Sequence, residues 1–436
     1  MSFSAHAARL RVTLPVACLV TYEWRRPSRC EGRLYRQSTD DPQRVLQWHA
    51  AHGGFVHGAV RACQLPGLGW ALCAQAPVSS GTVLVTTPGS LLWTAFDKRA
   101  PQAAPLAPGE RLASASAQLR RRLVAAQAAG EPFVEAMHPP DSIPLQMVAG
   151  SVLDPPPEAA VGALKGTTLL QHTLSLRSRL LEAIGPELRA AKDAQAFWEA
   201  SVWAQAVIMS RAFHVPKDSD RLALIPIVDI ANHAPTYQAA NAEIRDNPDG
   251  SISMVASRDI ASNEEVCICY GEYSNEQLLF CYGFVIPNNP CQGLLCPLPV
   301  PDTAGRAQLL QRALRRLRAT SKVPAEAFAA LRSGKDGAIE LLSALKVWNM
   351  PEDEAQAMLK EGMEITPGFQ EFASALDFLE AWRKEIPAGE DVESYKPARL
   401  LQSEARELIE NAIAEVSSQL PWPLYLRFCL RKVIFW

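Results

Sequence analysis

Apolar residues in this chain change their spacing several times. Patterning begins at Asp40-Asp41-Pro42, where Asp41 can cap a helix with Pro42 in its first turn and Gly53-Gly54 stops it. Alternation then predicts strands at 69–74 and 82–86, separated by a turn ending at Gly81 and closed by Pro88. An Ala- and Pro-rich loop is expected over 99–116, a helix over 117–128, and little regular structure over 131–160. Helical spacing covers Leu164–Leu181 and Glu187–Phe213, and the second segment is apolar nearly all round, as a buried helix is.

Strand spacing returns at 222–227, 242–245, 251–255 and 265–269, with Asn247-Pro248-Asp249-Gly250 as a hairpin turn and a short helix at 275–280. Beyond residue 290 the grammar is helical. Leu309, Leu310, Ala313, Leu314 and Leu317 share one face; so do Phe369, Phe372, Leu376 and Leu379, and then Leu401, Ala405, Leu408, Ala412 and Val416. The pattern predicts an α+β domain over 40–290 with a helical insert at about 99–205, followed by an all-α domain over 291–436. A length of 436 residues agrees with two cores. The terminal stretch PWPLYLRFCLRKVIFW has no physical account in this scheme.

Composition narrows the chemistry. A formal net charge of −3 makes no electrostatic case for nucleic acid or an anionic membrane. No apolar run reaches the ~18–20 residues of a membrane helix. The 10 cysteines include no CxxC and no zinc-like spacing, so they read as reduced and buried, which suggests a reducing compartment. The first 38 residues are Arg-rich and hold no acid before Glu23, the composition of an organelle transit peptide.

The polar residues that punctuate the apolar runs are the candidate site. They are Ser210-Arg211, Asp229, Asn232-His233, Tyr270-Gly271 and Tyr282-Gly283-Phe284. No GxSxG, P-loop, full GxGxxG or HxxxH pattern is present, which disfavours serine hydrolysis, nucleotide cradles and metal chemistry. Tyrosines at strand ends offer neutral hydroxyls and polarised rings, suited to an amine and its methyl groups.

In this order, VRACQLPGLGWALCAQAPVSSGTVLVTTP, SRAF, LIPIVDIANHAP and EEVCICYGEYSNEQLLFCYGF resemble the SET-domain methyltransferases, and within them the branch typified by the Rubisco large-subunit lysine methyltransferase. The resemblance implies a SET β-fold with a helical insert, a helical substrate-binding domain, and S-adenosylmethionine as methyl donor. It implies that Pro66, Gly67, Leu68, Arg211, Asn232, His233 and Phe284 hold the donor. It implies that Arg211, Asp229, Tyr270 and Tyr282 line the substrate channel, with Tyr270 and Tyr282 catalytic. Pro66 stands where the branch often has an acid, Ala234 where it commonly has Ser, and Asn263 where it commonly has Gly.

The expected partner is a protein presenting a lysine, met by a monomer without metal, nucleic acid or membrane. With the Arg-rich leader, the resemblance points to the chloroplast stroma, and to Rubisco or another stromal enzyme as substrate; a mitochondrial or cytoplasmic setting stays open. Two other functions stay open as well: histidine methylation, and a SET-like binding module without turnover.

Overall fold

The computed structural model describes residues 42–65, 69–94, 108–215, 222–291, 293–298, 303–317, 329–332, 337–363, 365–367, 369–386 and 395–419. The leader over 1–38, the residues Pro66, Gly67 and Leu68, and the terminal apolar stretch lie outside them.

A first helix, α1 (Pro42–Ala51), leads into five strands: β1 (Phe55–Val56), β2 (Val60–Leu65), β3 (Gly69–Ala74), β4 (Val83–Thr87) and β5 (Trp93–Thr94). Six helices follow: α2 (Pro108–Ala129), α3 (Pro132–Glu135), α4 (Pro144–Ala149), α5 (Glu158–Leu164), α6 (Leu169–Ala190) and α7 (Ala194–Arg211). Strands resume as β6 (Ala212–His214), β7 (Leu222–Leu224), β8 (Asn232–His233), β9 (Ala242–Asp246), β10 (Ile252–Ala256) and β11 (Glu265–Ile268). The short helix α8 (Asn275–Tyr282) closes this region.

The strands form small sheets in the orders β1-β4-β10-β9, β2-β3-β11-β8 and β5-β7-β6. Sequence-adjacent hairpins account for β2–β3 and β9–β10. The pairing that matters for the site is long-range: β8 lies parallel to β11, with Asn232 opposite Cys267 and His233 opposite Ile268. Leu72, Leu84, Val85, Met254 and Val266, all fully or almost fully buried, fill the core between these sheets and α2 and α7. Among the helices, α7 is the central one. Asp193 caps it by accepting from the Ala196 N–H at 2.9 Å. Trp198, Ala204, Ala206 and Val207 are fully buried along it, because it packs against α2, α4, α6 and α8.

The remaining helices are α9 (Ala304–Leu317), α10 (Ile339–Asn349), α11 (Glu352–Glu361), α12 (Phe369–Glu385) and α13 (Lys396–Ser418), accompanied by the two-residue strands β12 (Leu294–Leu295) and β13 (Ala330–Leu331). The periodic residues of the last helix, Leu401, Ala405, Leu408, Ala412 and Val416, are all buried. Polar side chains join this helical region to what precedes it. Gln402 donates to the carbonyls of Gly162 and Lys165 at 3.1 and 3.0 Å, and Trp382 Nε1 donates to the Gly166 carbonyl at 2.8 Å. Glu276, 1% exposed, accepts from Thr168 through one oxygen and from the Leu295 N–H through the other.

Several local expectations are corrected. The strand predicted over 222–227 stops at Leu224; the chain then turns through Ile227 into a 3-10 helix, Val228–Ile230. The predicted loop over 99–116 gives way to α2 from Pro108, and the proline-rich stretch 131–160 holds α3 and α4, each with proline in its first turn, where no N–H is needed. Glu187 belongs to α6, which continues past Pro186, and α7 starts only at Ala194 and ends at Arg211, two residues short of the expected Phe213. The expectation of uniformly reduced, buried cysteines also fails. Cys63 and Cys73 form a disulfide across the β2–β3 hairpin, and Cys267, Cys269, Cys281 and Cys291 are partly exposed. Sequence spacing misses this bridge because hairpin register, not a Cys motif, brings the two residues to a Cα separation of 6.2 Å.

Candidate functional site

Tyr270 stands two residues beyond the end of β11, next to the tip of β8. Its N–H donates to His233 Nδ1 at 3.2 Å, and its hydroxyl donates to the Ala231 carbonyl at 2.8 Å. Its ring centroid lies 5.0 Å from that of His233 and 4.8 Å from that of Tyr282. The parallel β8–β11 pairing therefore brings together residues 37 positions apart in sequence.

Tyr282 arrives on α8, whose two ends are both fixed. Ser274 and Gln277 form a reciprocal capping box at the start, and Gly283, at φ +78°, ends the helix immediately after Tyr282. A side chain at Gly283 would also meet Ser142 and Pro140, and the Ser142 hydroxyl donates to the Gly283 carbonyl at 2.5 Å. The helical insert thus positions the tyrosine from outside its own segment. Phe284 follows, with its ring 6.0 Å from His233 and 6.1 Å from Tyr282.

A third phenol joins this cluster, and the sequence reading passed it over. The Tyr273 ring centroid lies 6.2 Å from that of Tyr282, and the two hydroxyls interact with each other. The Tyr273 ring occupies the space where a side chain at Gly271 would stand, so the Tyr-Gly pair is needed for close packing. The available signal was an aromatic residue three places after Tyr270. Burial raises the pKa of all three phenols, which keeps them neutral.

Arg211 ends α7 and meets Asp229. One guanidinium nitrogen donates to Asp229 Oδ2 at 3.2 Å and to its carbonyl at 3.1 Å. The Asp229 side chain is 4% exposed; burial pushes its carboxyl up, and Arg211 opposes that rise. The turn that aims Asp229 is strained. Ile227, fully buried and β-branched, holds φ +71°, a conformation that costs about 1–3 kcal/mol.

Asn232 donates to Glu265 Oε1 at 2.7 Å, so the acidic residue at the start of β11 fixes the amide. Burial lowers the His233 pKa to about 4. The imidazole is neutral, and because Nδ1 accepts from Tyr270, the proton sits on Nε2. That Nε2 is buried and has no hydrogen-bond partner, and neither has Arg211 Nε. Two orphaned donors beside one aromatic cluster suit a ligand that brings acceptors. Asn263 adopts φ +65°, so the turn before β11 keeps the left-handed form a glycine would take there. Pushed up to about 12 mainly by burial, the Cys267 thiol is not a nucleophile.

Arg211, Asp229, Tyr270 and Tyr282 line a cleft of about 1150 Å³. Asn232, His233 and Phe284 do not line it; His233 and Phe284 pack against the tyrosines instead, and Asn232 is held by Glu265. The structure therefore brings together every sequence-predicted site residue that it describes and sorts them into two groups sharing Tyr270. Pro66, Gly67 and Leu68 lie outside the described residues. No cluster of three or more metal-ligating side chains occurs among the described residues.

Comparison with known proteins gives the same outline. A family profile described as SET domain matches residues 69–271. The ribosomal lysine N-methyltransferase set11 of Schizosaccharomyces pombe is 38% identical over 71 residues, covering 16% of this chain and 18% of that protein. Human SET domain-containing protein 4 is 24% identical over 248 residues, 52% of this chain and 54% of its own length. The actin-histidine N-methyltransferase of Xenopus tropicalis is 29% identical over 192 residues, 42% of this chain and 31% of its own length. The chain thus spans from 18% to 54% of these relatives. Among solved structures, the SET domain of LSMT bound to lysine and AdoHcy superposes with a TM-score of 0.59 at 15% identity, covering 88% of this chain and 94% of that one. Rubisco LSMT bound to sinefungin and monomethyllysine gives 0.60 at 15% identity, with 88% and 95% covered. At that identity the likeness establishes the fold.

Proposed function

We propose that this chain, whose residues 69–271 match a SET-domain profile, is a protein N-methyltransferase that uses S-adenosylmethionine and acts on lysine. The observation that carries the reading is Tyr270. A single phenol ties His233, with its orphaned Nε2, to the Arg211–Asp229 cleft. Bound S-adenosylmethionine would supply an activated methyl group that needs no metal.

Asn232, His233, Phe284 and Arg211 are the residues to hold the donor. Arg211 Nε and the proton on His233 Nε2 fit a group rich in acceptors. Pro66, Gly67 and Leu68 join this assignment from the resemblance alone. On the cleft side, Tyr270 and Tyr282 surround the incoming amine. The Tyr270 proton is committed to the Ala231 carbonyl, so the hydroxyl lone pairs are left to accept from an amine N–H. That contact orients the nitrogen lone pair along one line, and alignment of this kind supplies most of the acceleration in a displacement. Neutral tyrosine faces accommodate the methylated cation. A position in the cleft beside Arg211 would favour the neutral, nucleophilic amine through desolvation and like charge.

The Arg-rich leader and the branch resemblance support a chloroplast stromal substrate, with Rubisco or another stromal enzyme as the first protein to test. The experiment is incubation with labelled S-adenosylmethionine and stromal extract, followed by identification of the labelled residue. N-methyl-lysine is the expected product. Methylhistidine would replace it with the second reading, which the likeness to the Xenopus tropicalis actin-histidine enzyme favours. Absence of label from any protein, with the cofactor bound, would leave a binding module.

A further inference from the structure

The cleft beside Tyr270 has a basic helical wall that the transfer chemistry does not use. Arg120 projects from α2 and Arg179 from α6, and both line the cleft together with Arg211. Arg120 is 6% exposed, yet the partner of its guanidinium is the neutral amide oxygen of Gln205, at 3.3 Å. Arg179 Nε is buried without a hydrogen-bond partner. Among the described residues neither guanidinium is paired with a carboxylate. The acid nearest Arg120 in electrostatic effect, Glu187, is held by Arg121 at 2.7 Å. Across the cleft, Glu243 is paired with Arg245 at 2.6 Å. Asp229 belongs to Arg211.

Holding a guanidinium away from solvent without a counter-ion is costly, and here Arg120 is buried and the half-buried Arg179 has its Nε buried. Such an arrangement is retained where an anion arrives from outside to complete the pairs, and the planar guanidinium fork matches a carboxylate. The cleft is the side on which Asp229, Tyr270 and Tyr282 await the substrate; of the residues assigned to the donor, Arg211 reaches it, while Asn232, His233 and Phe284 lie outside it. The visitor on this wall is therefore part of the substrate protein.

We infer that Arg120 and Arg179 form an anion subsite that reads an aspartate or glutamate side chain next to the methylated residue. The substrate segment would combine a target amine, placed between the tyrosines, with an acid placed against α2 and α6. This inference rests on the cleft being the substrate side of a methyltransferase. It adds a sequence preference that the aromatic cluster cannot provide.

The test uses the full chain saturated with S-adenosylhomocysteine, so that the cofactor's own carboxylate is already accommodated. Fluorescent lysine-centred peptides carry glutamate, glutamine or phosphoserine at each flanking position in turn, and anisotropy reads binding without turnover. A glutamate peptide should bind about tenfold more tightly than its glutamine counterpart, as expected for a charge-assisted pair, and added salt should erode the difference. Arg179→Gln and Arg120→Gln should each abolish that preference, and Arg179→Lys should keep part of it.

Equal binding of glutamate and glutamine peptides, or no binding by either, overturns the inference. So does a preference confined to phosphoserine. So does an Arg179→Gln variant that keeps its peptide preference but loses affinity for S-adenosylhomocysteine. Failure of methyl transfer to a peptide that binds through its glutamate would sink the enzymatic reading and leave the subsite standing.

Discussion

Replacing Tyr270 by phenylalanine removes one oxygen and keeps the ring. The contacts at 5.0 Å to His233 and 4.8 Å to Tyr282 are made by the ring and survive, as does the backbone bond to His233. What is lost is the 2.8 Å hydrogen bond to the Ala231 carbonyl, on a residue 1% exposed. An unsatisfied buried carbonyl costs about 1–2 kcal/mol, which lowers Tm by about 2–8 °C in a domain of this size. Transfer should suffer far more. Without the hydroxyl, the amine loses the acceptor that holds its lone pair on line, and misplacement of this order reduces rate by about 100-fold or more. The assay pairs thermal unfolding with incorporation of labelled methyl into the protein identified from extract. A folded variant within about threefold of the parent rate would refute the role given to this phenol, since ordinary packing is what the substitution preserves.

Gly271→Ala should push the Tyr273 ring out of place and release the Tyr282 hydroxyl, lowering activity with little change in cofactor binding; isothermal titration with S-adenosylhomocysteine separates the two, and unchanged turnover counts against the packing argument. Asp229→Asn leaves Arg211 without its counter-ion and should cost about 3 kcal/mol of stability in denaturant unfolding, with part of the loss recovered in the Arg211→Gln/Asp229→Asn double variant. His49 and His233 both have pKa values lowered from 6.5 to about 4 by burial, so the unfolded chain takes up protons that the folded chain refuses. Stability should be fully present above pH 6.5 and fall as pH drops toward 4, by up to about 3 kcal/mol for each histidine. A flat stability profile across that window would show that neither imidazole is held neutral.

Much of the site was legible because its residues interrupt strong patterns. Tyr270 ends an apolar strand, Tyr282 ends a short helix, and Asn232-His233 follows a buried segment, so each stands out against its neighbours. Tyr273 was missed because nothing in its own segment marks it; its role comes from the ring filling the space over Gly271 and meeting Tyr282. Glu265 was missed for a similar reason. Its carboxylate looks like an ordinary exposed charge until β8 lies beside β11 and Asn232 reaches it. Ile227 defeated the strand prediction, since a β-branched residue gives no sign that packing will force it to positive φ.

By itself, the order of apolar periods determined the two kinds of region, the helices between the strands and the buried face of the last helix. Burial drives those choices residue by residue, so local spacing records them. Tertiary structure alone decided the parallel contact of β8 with β11, the clamp of Ser142 on Gly283, the Cys63–Cys73 bridge and the placing of Arg120 and Arg179 on the cleft. Each is a meeting of segments far apart or of opposite strands, set by register and packing. Hydrogen-bond register and close contact are properties of pairs of segments, and a single segment carries no record of its partner.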